Sequence, residues 1–361
     1  MQLAIPCALM RGGTSKGLYF NGVDLPKNIT VRNKLLLAAM GSPDDRQIDG
    51  LGGSHPLTSK VAIVSPSNRD DADIDYLFLQ VAVNKGEVSD SQNCGNILAG
   101  VGPFAIESGM VTATDVTTDV RIYMVNTGAM AVARVATPNG IVNYSGEARI
   151  DGVPGTAAPI PIDFLNVAGS SCGALLPTGN SRDLIDLLPV TCIDNGMPVV
   201  IINAKGLGLT GNESPQLLES CAELKERIER IRLQAGLMMN LGDVADKTVP
   251  KICLVSAPLN GGVINTRTFI PHRVHEAIGV LGAMSVATAS VIQGSVAFEV
   301  ARTKAQEGIN LLEIEHPTGS FLVEIALEGV ALQQMEVKRA AILRTARLLM
   351  RGEVFVPEGL Q

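Results

Sequence analysis

Short apolar runs alternate with glycine-rich turns along this chain, which predicts many strands and a few helices. β-branched and apolar content between turn residues predicts first-half strands at residues 3–10, 18–20, 60–64, 76–83, 120–126, 131–136 and 140–144. Apolar positions of helical period predict one helix over Ile29–Met40, ending at Gly41. A second, nearly uncharged helix is predicted over residues 97–107.

The second half of the chain repeats this plan. Strands are predicted at residues 190–193, 199–202, 251–255 and 263–270, and a loop at 271–275 precedes another uncharged helix. One long amphipathic helix lies between them, with apolar positions spaced by threes and fours: Leu217, Cys221, Leu224, Ile228, Ile231 and Ala235. A helix without a polar face must be enclosed. The pattern therefore predicts an α+β fold, in which each half is a curved, mainly antiparallel sheet wrapped around one apolar helix.

The length of 361 residues favours two domains. We place an N-terminal repeat at residues 1–187 and a C-terminal repeat at 188–340. The remaining segment, 341–361, is a candidate to return to the first domain.

Composition and charge exclude several classes of protein. Lys plus Arg number 29 against 36 Asp plus Glu, a net charge of −7, and Trp is absent, so general binding to nucleic acid or an anionic membrane is disfavoured. Residues 277–298 carry no charge and are long enough to span a bilayer, but their Gly, Ala, Ser and Thr content favours a buried helix. Without a secretory start, we expect a cytoplasmic protein with free thiols.

Cys94 and Lys60 are the two candidates for proton chemistry. Cys94 follows a polar loop and directly precedes an apolar helix, whose first N–H groups favour an anion. Lys60 opens an apolar strand after a glycine loop, and a lysine kept from water can act as a general base. The alternatives stay open here: a free cysteine is commonly a small core residue, and a lysine at a strand edge is commonly solvated. Cys7, Cys192 and Cys253 fit strand cores.

A glycine turn at residues 11–17 is a candidate anion site, because successive N–H groups in such a turn can form a nest. A plain hairpin turn is the alternative. The G-x-G-x-x-G match at residues 206–211 lacks an immediately following helix, so no dinucleotide is expected. His272, His275 and Glu276 have no companion ligand cluster, so no metal is expected.

These motifs together resemble the PrpF family, which has the diaminopimelate-epimerase-like fold. The resemblance runs nearly end to end, and its ordered motifs are Met10-Arg11-Gly12-Gly13-Thr14-Ser15-Lys16-Gly17, Met40-Gly41-Ser42, Ile48-Asp49-Gly50, Leu57-Thr58-Ser59-Lys60-Val61, Asn93-Cys94-Gly95-Asn96, Asp151-Gly152-Val153-Pro154-Gly155-Thr156, Asp194-Asn195-Gly196-Met197-Pro198, Leu241-Gly242-Asp243-Val244, Pro250-Lys251 and Pro271-His272. Within the family, the chain looks most like the oxalomesaconate isomerases and tautomerases of gallate and protocatechuate breakdown.

The resemblance implies a cofactor-independent isomerase that moves a proton on an unsaturated di- or tricarboxylic acid in an interdomain cleft. Lys60 and Cys94 fall on the family's acid–base pair. Where related epimerases have a second thiol, this chain has Gly279 or the nearby His275, so an asymmetric proton shift is expected. Residues expected to bind substrate are Arg11, Gly13, Thr14, Ser15, Ser59, Asn93, Gly95, Asn96, Met197, Lys251, Arg267, His272 and His275. A homodimer is a family-level expectation.

Two alternatives remain at this point. An allylic isomerase of the methylaconitate or methylitaconate type shares the same chemistry. A non-catalytic accessory protein to a dehydratase is the other, and the presence of both Lys60 and Cys94 argues against it.

Overall fold

The computed structural model describes residues 2–90, 94–271, 273–303, 308–328 and 336–359. It has two compact units, Met1–Leu165 with Arg344–Gln361 (unit 1) and Asn166–Leu343 (unit 2). The boundary differs from the one placed at 187/188, because the short strand Asp183–Ile185 pairs with the next strand, Leu188–Asp194, and so belongs to unit 2. The last strand, Ala346–Pro357, pairs with the first strand of unit 1.

The strands are β1 (Gln2–Gly12), β2 (Ser15–Asn21), β3 (Lys60–Pro66), β4 (Ile74–Val81), β5 (Val88–Ser89), β6 (Val116–Met124), β7 (Ala129–Thr137), β8 (Ile160–Leu165), β9 (Asp183–Ile185), β10 (Leu188–Asp194), β11 (Pro198–Asn203), β12 (Lys251–Ser256), β13 (Ile264–Phe269), β14 (Gly308–His316), β15 (Gly319–Glu328), β16 (Glu336–Arg344) and β17 (Ala346–Pro357). The α-helices are α1 (Ile29–Met40), α2 (Gly95–Glu107), α3 (Pro215–Ser220), α4 (Ala222–Met238), α5 (Val280–Val291) and α6 (Val296–Val300).

The two units repeat one order of strand pairing. In unit 1, β1–β2, β3–β4 and β6–β7 pair antiparallel, whereas β2–β3 and β4–β6 pair parallel. In unit 2, β10–β11, β12–β13 and β14–β15 pair antiparallel, whereas β11–β12 and β13–β14 pair parallel. The same succession in both units supports the internal duplication inferred from sequence.

Each unit encloses one apolar helix. Residues 97–106 of α2 and 282–291 of α5 are all buried, with no polar stripe facing water. The face of the strands away from the enclosed helix is covered by α1 in unit 1 and by α4 in unit 2. Each of these two helices packs on its own cluster of buried apolar side chains. The α+β fold with an enclosed helix in each half is therefore confirmed. The start of α2 lies against β4, where Tyr76 binds the Cys94 carbonyl.

The structure corrects two sequence predictions. Residues 140–144 form no strand, because Asn139 and Gly140 take positive φ values of 56° and 74° and turn the chain after β7. The long amphipathic helix is broken at Cys221, whose ψ of 96° separates α3 from α4. Cys221 is consequently exposed rather than buried, and Leu217 is 58% exposed. The apolar spacing continued across the break, so periodicity alone could not locate it.

The uncharged segment 277–298 is divided. Helix α5 ends at Val291, and Gly294 turns the chain with a φ of 84° before α6 begins. Among the described residues, no helix combines the length and the apolar character needed to cross a bilayer.

Candidate active site

Cys94 lies at the start of the enclosed helix of unit 1. It is the N-cap residue of α2, with extended backbone angles, and its side chain is half-buried and does not cap the helix. The first backbone N–H groups of a helix have no partner within it, and its dipole favours negative charge there. The thiol is therefore next to an electropositive helix end and accessible to a small molecule.

Lys60 is the first residue of β3 and is only 6% exposed. Its Nζ donates to Oε1 of Gln80 at 2.8 Å and lies 4.9 Å from the centroid of the Phe78 ring. Within the described residues, no carboxylate lies at ion-pair distance from it. Gly17 pairs with Lys60 across β2–β3, and a Cβ at Gly17 would stand 2.4 Å from the Lys60 carbonyl oxygen. Glycine at position 17 is what lets the strand approach this lysine.

One row of side chains on β4 joins Cys94 to Lys60. Tyr76, Phe78 and Gln80 alternate along the strand and so lie on one face. Tyr76 donates its hydroxyl to the Cys94 carbonyl at 3.3 Å, and Phe78 and Gln80 contact the Lys60 amine. Both predicted catalytic residues therefore belong to the same face of the same sheet.

The side chains of Tyr19, Tyr76 and Arg344 interact electrostatically with Cys94. Burial raises the pKa of Tyr19 and of Tyr76 well above that of a free tyrosine, and the negative charge of a Cys94 thiolate raises both further. Arg344 is 4% exposed; burial lowers its pKa to about 10, and the Cys94 thiolate acts in the opposite direction. The phenols stay protonated and Arg344 stays charged near pH 7. Negative charge that develops beside Cys94 thus meets a buried cation.

The β1–β2 turn packs against the start of α2. Asn96 accepts from the Thr14 N–H at 3.4 Å and donates from Nδ2 to the Thr14 hydroxyl at 3.0 Å. Gly13, with a φ of 52°, donates its N–H to the Thr345 carbonyl at 2.9 Å. These N–H groups are therefore used by the protein itself. Substrate binding by Gly13 and Thr14 stays a prediction.

Other residues at this turn have structural partners. Arg11 donates from Nη1 to the carbonyl oxygens of Gly13 and Thr345, which braces the turn. Ser59 is fully buried, and its hydroxyl accepts from the Gln47 side chain at 2.8 Å. The hydroxyl of Ser15, a residue only 1% exposed, has no hydrogen-bond partner in the described part of the chain.

Gly95 is the first residue of α2, beside Cys94. Asn93 and His272, both predicted to bind substrate, lie outside the described residues.

Unit 2 places a lysine, but no thiol, at the corresponding positions. Lys251 opens β12 and pairs with Val199, as Lys60 opens β3 and pairs with Gly17. The N-cap of α5 is Gly279, where α2 has Cys94. The correspondence of Gly279 with Cys94 agrees with the sequence prediction.

Lys251 acts electrostatically on His275. Burial lowers the pKa of Lys251, and the charge of Arg232 lowers it further. Burial also lowers the pKa of His275, with Lys251 as the second cause. The Nδ1 atom of His275 accepts from the Ala277 N–H at 2.9 Å, so its other ring nitrogen carries the proton in the neutral form.

Met197 lies between β10 and β11, half-buried, and its carbonyl accepts from the Ser285 hydroxyl at 2.8 Å.

Arg267 does not accompany Lys251. It pairs with Leu254, which alternates with Lys251 along β12 and so faces the other side of the sheet. Its guanidinium donates to the Glu213 carbonyl at 2.7 Å, to Asn265 Oδ1 at 2.9 Å and to the Thr266 carbonyl at 2.8 Å. Burial lowers its pKa. This side chain holds the loop before α3, and substrate binding by Arg267 stays a prediction.

Comparisons with known proteins identify the family of this chain. The family model described as PrpF protein matches residues 2–357.

The chain belongs to the PrpF family.

Within it, the chain is 59% identical to a 4-oxalomesaconate tautomerase from Pseudomonas putida, over 98% of this chain and 97% of the relative. It is 58% identical to a (4E)-oxalomesaconate Delta-isomerase from Novosphingobium sp., over 97% of each chain. A crystal structure of methylitaconate-delta-isomerase superposes with a TM-score of 0.86 at 35% identity, covering 99% of this chain and 97% of that chain. This PrpF protein is an isomerase that acts on a small molecule.

Sequence reasoning missed the residues that hold the two catalytic candidates in this PrpF chain. Gln80 and Phe78 position Lys60, and Tyr76 binds the Cys94 backbone. Their alternation along a predicted strand was a usable signal. Arg344 lies 250 positions beyond Cys94 in sequence and had no such signal, apart from following directly on the apolar run at 340–343.

Proposed function

We propose that this isomerase moves a proton on an unsaturated tricarboxylic acid of the oxalomesaconate type. The observation that carries the proposal is the row Tyr76, Phe78 and Gln80, which fixes Cys94 and Lys60 on one face of one sheet. An acid–base pair held in this way can take a proton from one atom of a substrate and return one to another.

The proposed reaction needs no oxidant or reductant. Lys60, while neutral, takes a proton from the carbon beside a conjugated acid, and the electron pair of that C–H bond becomes an enolate. Cys94 then gives a proton as a thiol to a different atom of the substrate, and a proton passes from the lysine to restore the thiol through water. Bonds to hydrogen are conserved and the product is an isomer.

The enolate charge is the difficult part of this reaction, since it must be met by groups already in place. The start of α2 and the buried guanidinium of Arg344 supply positive potential beside Cys94. The Ser15 hydroxyl and the Thr14–Asn96 pair are proposed to contact substrate carboxylates, with Gly95 allowing close approach. Arg11 and Gly13 contribute by bracing this turn, and Ser59 by holding the entrance to β3.

Lys251, His275 and Met197 are proposed to bind carboxylates rather than to move a proton. Of the three, Met197 has no ionisable group and burial favours the neutral form of His275, so Lys251 is proposed as the main cation for a carboxylate. The contribution of Asn93 and His272, the cytoplasmic location and the homodimer stay predictions.

Methylitaconate-type allylic isomerisation is the second candidate. It is favoured by the TM-score of 0.86 to a methylitaconate-delta-isomerase. The identity is 35% for that structure against 59% for the oxalomesaconate tautomerase, so the tricarboxylate substrate is preferred.

Turnover in deuterium oxide tests the function. The purified chain is incubated separately with oxalomesaconate, methylaconitate and methylitaconate, and the products are followed by proton NMR. We expect conversion of oxalomesaconate to be the fastest, with solvent deuterium at one carbon and on one face. The matched control is Cys94→Ala, which should leave all three compounds unchanged on the same timescale. Faster conversion of methylitaconate, or label at random positions, would reject the proposal.

Independence from cofactors is part of the same proposal. After exhaustive treatment with a chelator and desalting, the rate on the preferred substrate should be unchanged. A rate that is lost on chelation and restored by one metal ion would contradict it.

A further inference from the structure

Gln80 presents one fixed end of its side chain to the Lys60 amine. Its Nε2 donates to the carbonyl oxygen of Ser59 at 2.9 Å and to that of Pro56 at 3.0 Å. Since a carbonyl oxygen only accepts hydrogen bonds, the NH₂ end of the amide must lie on this side. The amide oxygen Oε1 is therefore the end that accepts from Lys60 Nζ at 2.8 Å. The loop that leads into β3 thus sets the orientation of the amide.

The amide oxygen of Gln80 is a neutral acceptor, which suits an amine that has to gain and lose a proton. The neutral and the charged form of lysine both have N–H groups that such an oxygen can hold. A carboxylate in the same place would favour the charged form, because an opposite charge at this distance stabilises it. Phe78 adds the face of its ring, 4.9 Å from Nζ, and no ionisable group. The Lys60 amine is therefore held without a counter-ion.

Ionisable side chains lie on the elements around Lys60, but none of them takes the place of Gln80. Among the residues that the structure describes, Nζ has a hydrogen bond to Gln80 and no ion pair. The pairing of the strands puts Tyr19 and Tyr76 on its face of the sheet, with Cys94 next to Tyr76. The other ionisable groups are Lys16 on the opposite face of β2, His55 in the loop before β3, and Asp45 and Glu87 in the lining of a cavity of about 660 Å³ that Gln80 also lines.

Unit 2 has a different residue opposite its lysine. Lys60 pairs directly with Gln80 across β3 and β4. Across β12 and β13, Ile252 pairs with Phe269, and the same register continued by one residue places Ile270 opposite Lys251. An amide thus stands opposite the lysine in unit 1, and a hydrocarbon side chain in unit 2.

We propose that Gln80 is the positioning residue that allows Lys60 to act as a base, because its amide oxygen holds the amine before and after proton transfer without supplying a counter-ion. The inference rests on the proposed function, in which Lys60 takes the proton. It assigns to position 80 a requirement for a neutral acceptor, which neither a carboxylate nor an apolar side chain meets.

Two substitutions of Gln80 in the full chain separate position from charge. Gln80→Met keeps the length of the side chain and removes the acceptor, so kcat should fall about 10- to 100-fold with KM within about twofold, as for a misplaced catalytic group. Gln80→Glu keeps an acceptor but adds a negative charge, so turnover should fall at neutral pH and recover at higher pH. The acid limb of its kcat/KM profile should move up by about one pH unit or more.

Matched controls make the same two changes at Gln2, an exposed position of β1. Gln2→Met and Gln2→Glu should keep the kinetics and the pH profile of the wild type. Both Gln80 variants should fold, since Val81 also donates its N–H to the Ser59 carbonyl at 3.2 Å and Pro56 is exposed to water. Thermal unfolding followed by circular dichroism checks this. If Gln80→Met melts much lower than the wild type, the pH profile of Gln80→Glu decides.

Three results would overturn the proposal. The first is a kcat of folded Gln80→Met within about twofold of the wild type. The second is a pH profile of Gln80→Glu that coincides with that of the wild type. The third is a rise in KM alone in both variants, which would make Gln80 a substrate-binding residue.

Failure of the proposed function would be visible before Gln80 is changed. It would appear as no turnover of oxalomesaconate by the wild-type chain, or as full turnover by Lys60→Ala, and the role of Gln80 would then fall with it. With an active wild type and an inactive Lys60→Ala, the Gln80 variants alone decide.

Discussion

The starts of the two enclosed helices differ at one residue on an otherwise repeated framework. In unit 1 the N-cap of α2 is Cys94, and in unit 2 the N-cap of α5 is Gly279. The strand that follows the first hairpin opens with a lysine in both units, Lys60 and Lys251, and pairs parallel with the hairpin in both. Duplication therefore preserved the lysine and the helix end, whereas only one half has the thiol.

The surroundings of the two lysines differ as well. The Lys60 amine is held by a glutamine oxygen and an aromatic ring, whereas Lys251 lies near two other basic groups, Arg232 and His275. A base needs a fixed position next to its acid partner, whereas a site for carboxylates needs positive charge. The proposed division of roles is therefore proton transfer in unit 1 and anion binding in unit 2.

The sharpest test exchanges the residue that distinguishes the helix starts. Cys94→Gly gives unit 1 the residue of unit 2, and turnover should fall roughly 10²–10⁴-fold, as is typical for loss of a positioned acid or base. Gly279→Cys makes the reverse change. A Cβ at Gly279 would have no atom within 4 Å, and its φ of −67° suits any residue, so that variant should fold and keep its turnover.

Steady-state kinetics of both variants checks this prediction, with Cys221→Ala as the control for removal of an exposed thiol. The comparison fails if Cys94→Gly retains turnover near that of the wild type. It also fails if Gly279→Cys restores activity to a Cys94→Gly chain, because then the two helix starts would be equivalent.

Most of the fold followed from periodicity, and the exceptions have local causes. Helix α1 begins and ends where the sequence predicts, because Asn28 caps it and Gly41 ends it in a left-handed conformation. The break at Cys221 was invisible to apolar spacing, since apolar residues continue at helical intervals through Leu217, Cys221, Leu224 and Ile228. In the structure Leu224 and Ile228 are buried in α4, whereas Leu217 and Cys221 are exposed. The break thus changes which residues are buried without changing the apolar pattern.

The site was predictable as two residues but not as an arrangement. Cys94 and Lys60 stood out because each adjoins a glycine-rich loop at the end of a regular element. The positions of the groups around Cys94 and Lys60 depend on which residues of β4 face α2 and on the pairing of β17 with β1. Both are set by the register of strand pairing, which the sequence pattern did not give. Register also decides that Arg267 and Lys251 point to opposite faces of the sheet, because successive side chains along a strand alternate between the two faces.

Separate replacement of Lys60 and of Lys251 by methionine, an apolar residue of similar length, tests the difference between the two units. Lys60→Met should lower kcat by roughly 10²–10³-fold, since it removes the proposed base. Lys251→Met should raise KM about tenfold and leave kcat within a factor of a few, as expected when binding is lost equally from ground and transition state.

Initial rates over a range of substrate concentration separate these two outcomes, and Lys34→Met, on the exposed side of α1, is the matched control. A fall in kcat with unchanged KM in Lys251→Met would assign proton transfer to unit 2 and remove the proposed division of roles.

The smallest expected effect concerns two buried thiols of unit 2, Cys192 and Cys253, whereas Cys94 is half-buried. Burial raises the pKa of Cys192 and of Cys253 to about 12, from about 9 for an exposed thiol. Above pH 9 the unfolded chain loses these protons while the folded chain keeps them. The unfolded state then binds fewer protons, so the free energy of unfolding falls as the pH rises.

Each thiol contributes about 1.4 kcal/mol per pH unit between its unfolded and folded pKa. Below pH 9 this stabilisation is fully present. Denaturant unfolding at about pH 9.5 and about pH 10.5 should show a loss smaller by about 1.4 kcal/mol in Cys253→Ala than in the wild type. Cys192→Ala should give the same relief and the double variant about twice as much. An identical pH dependence in all four chains would mean that these two thiols ionise equally well in the folded and in the unfolded chain.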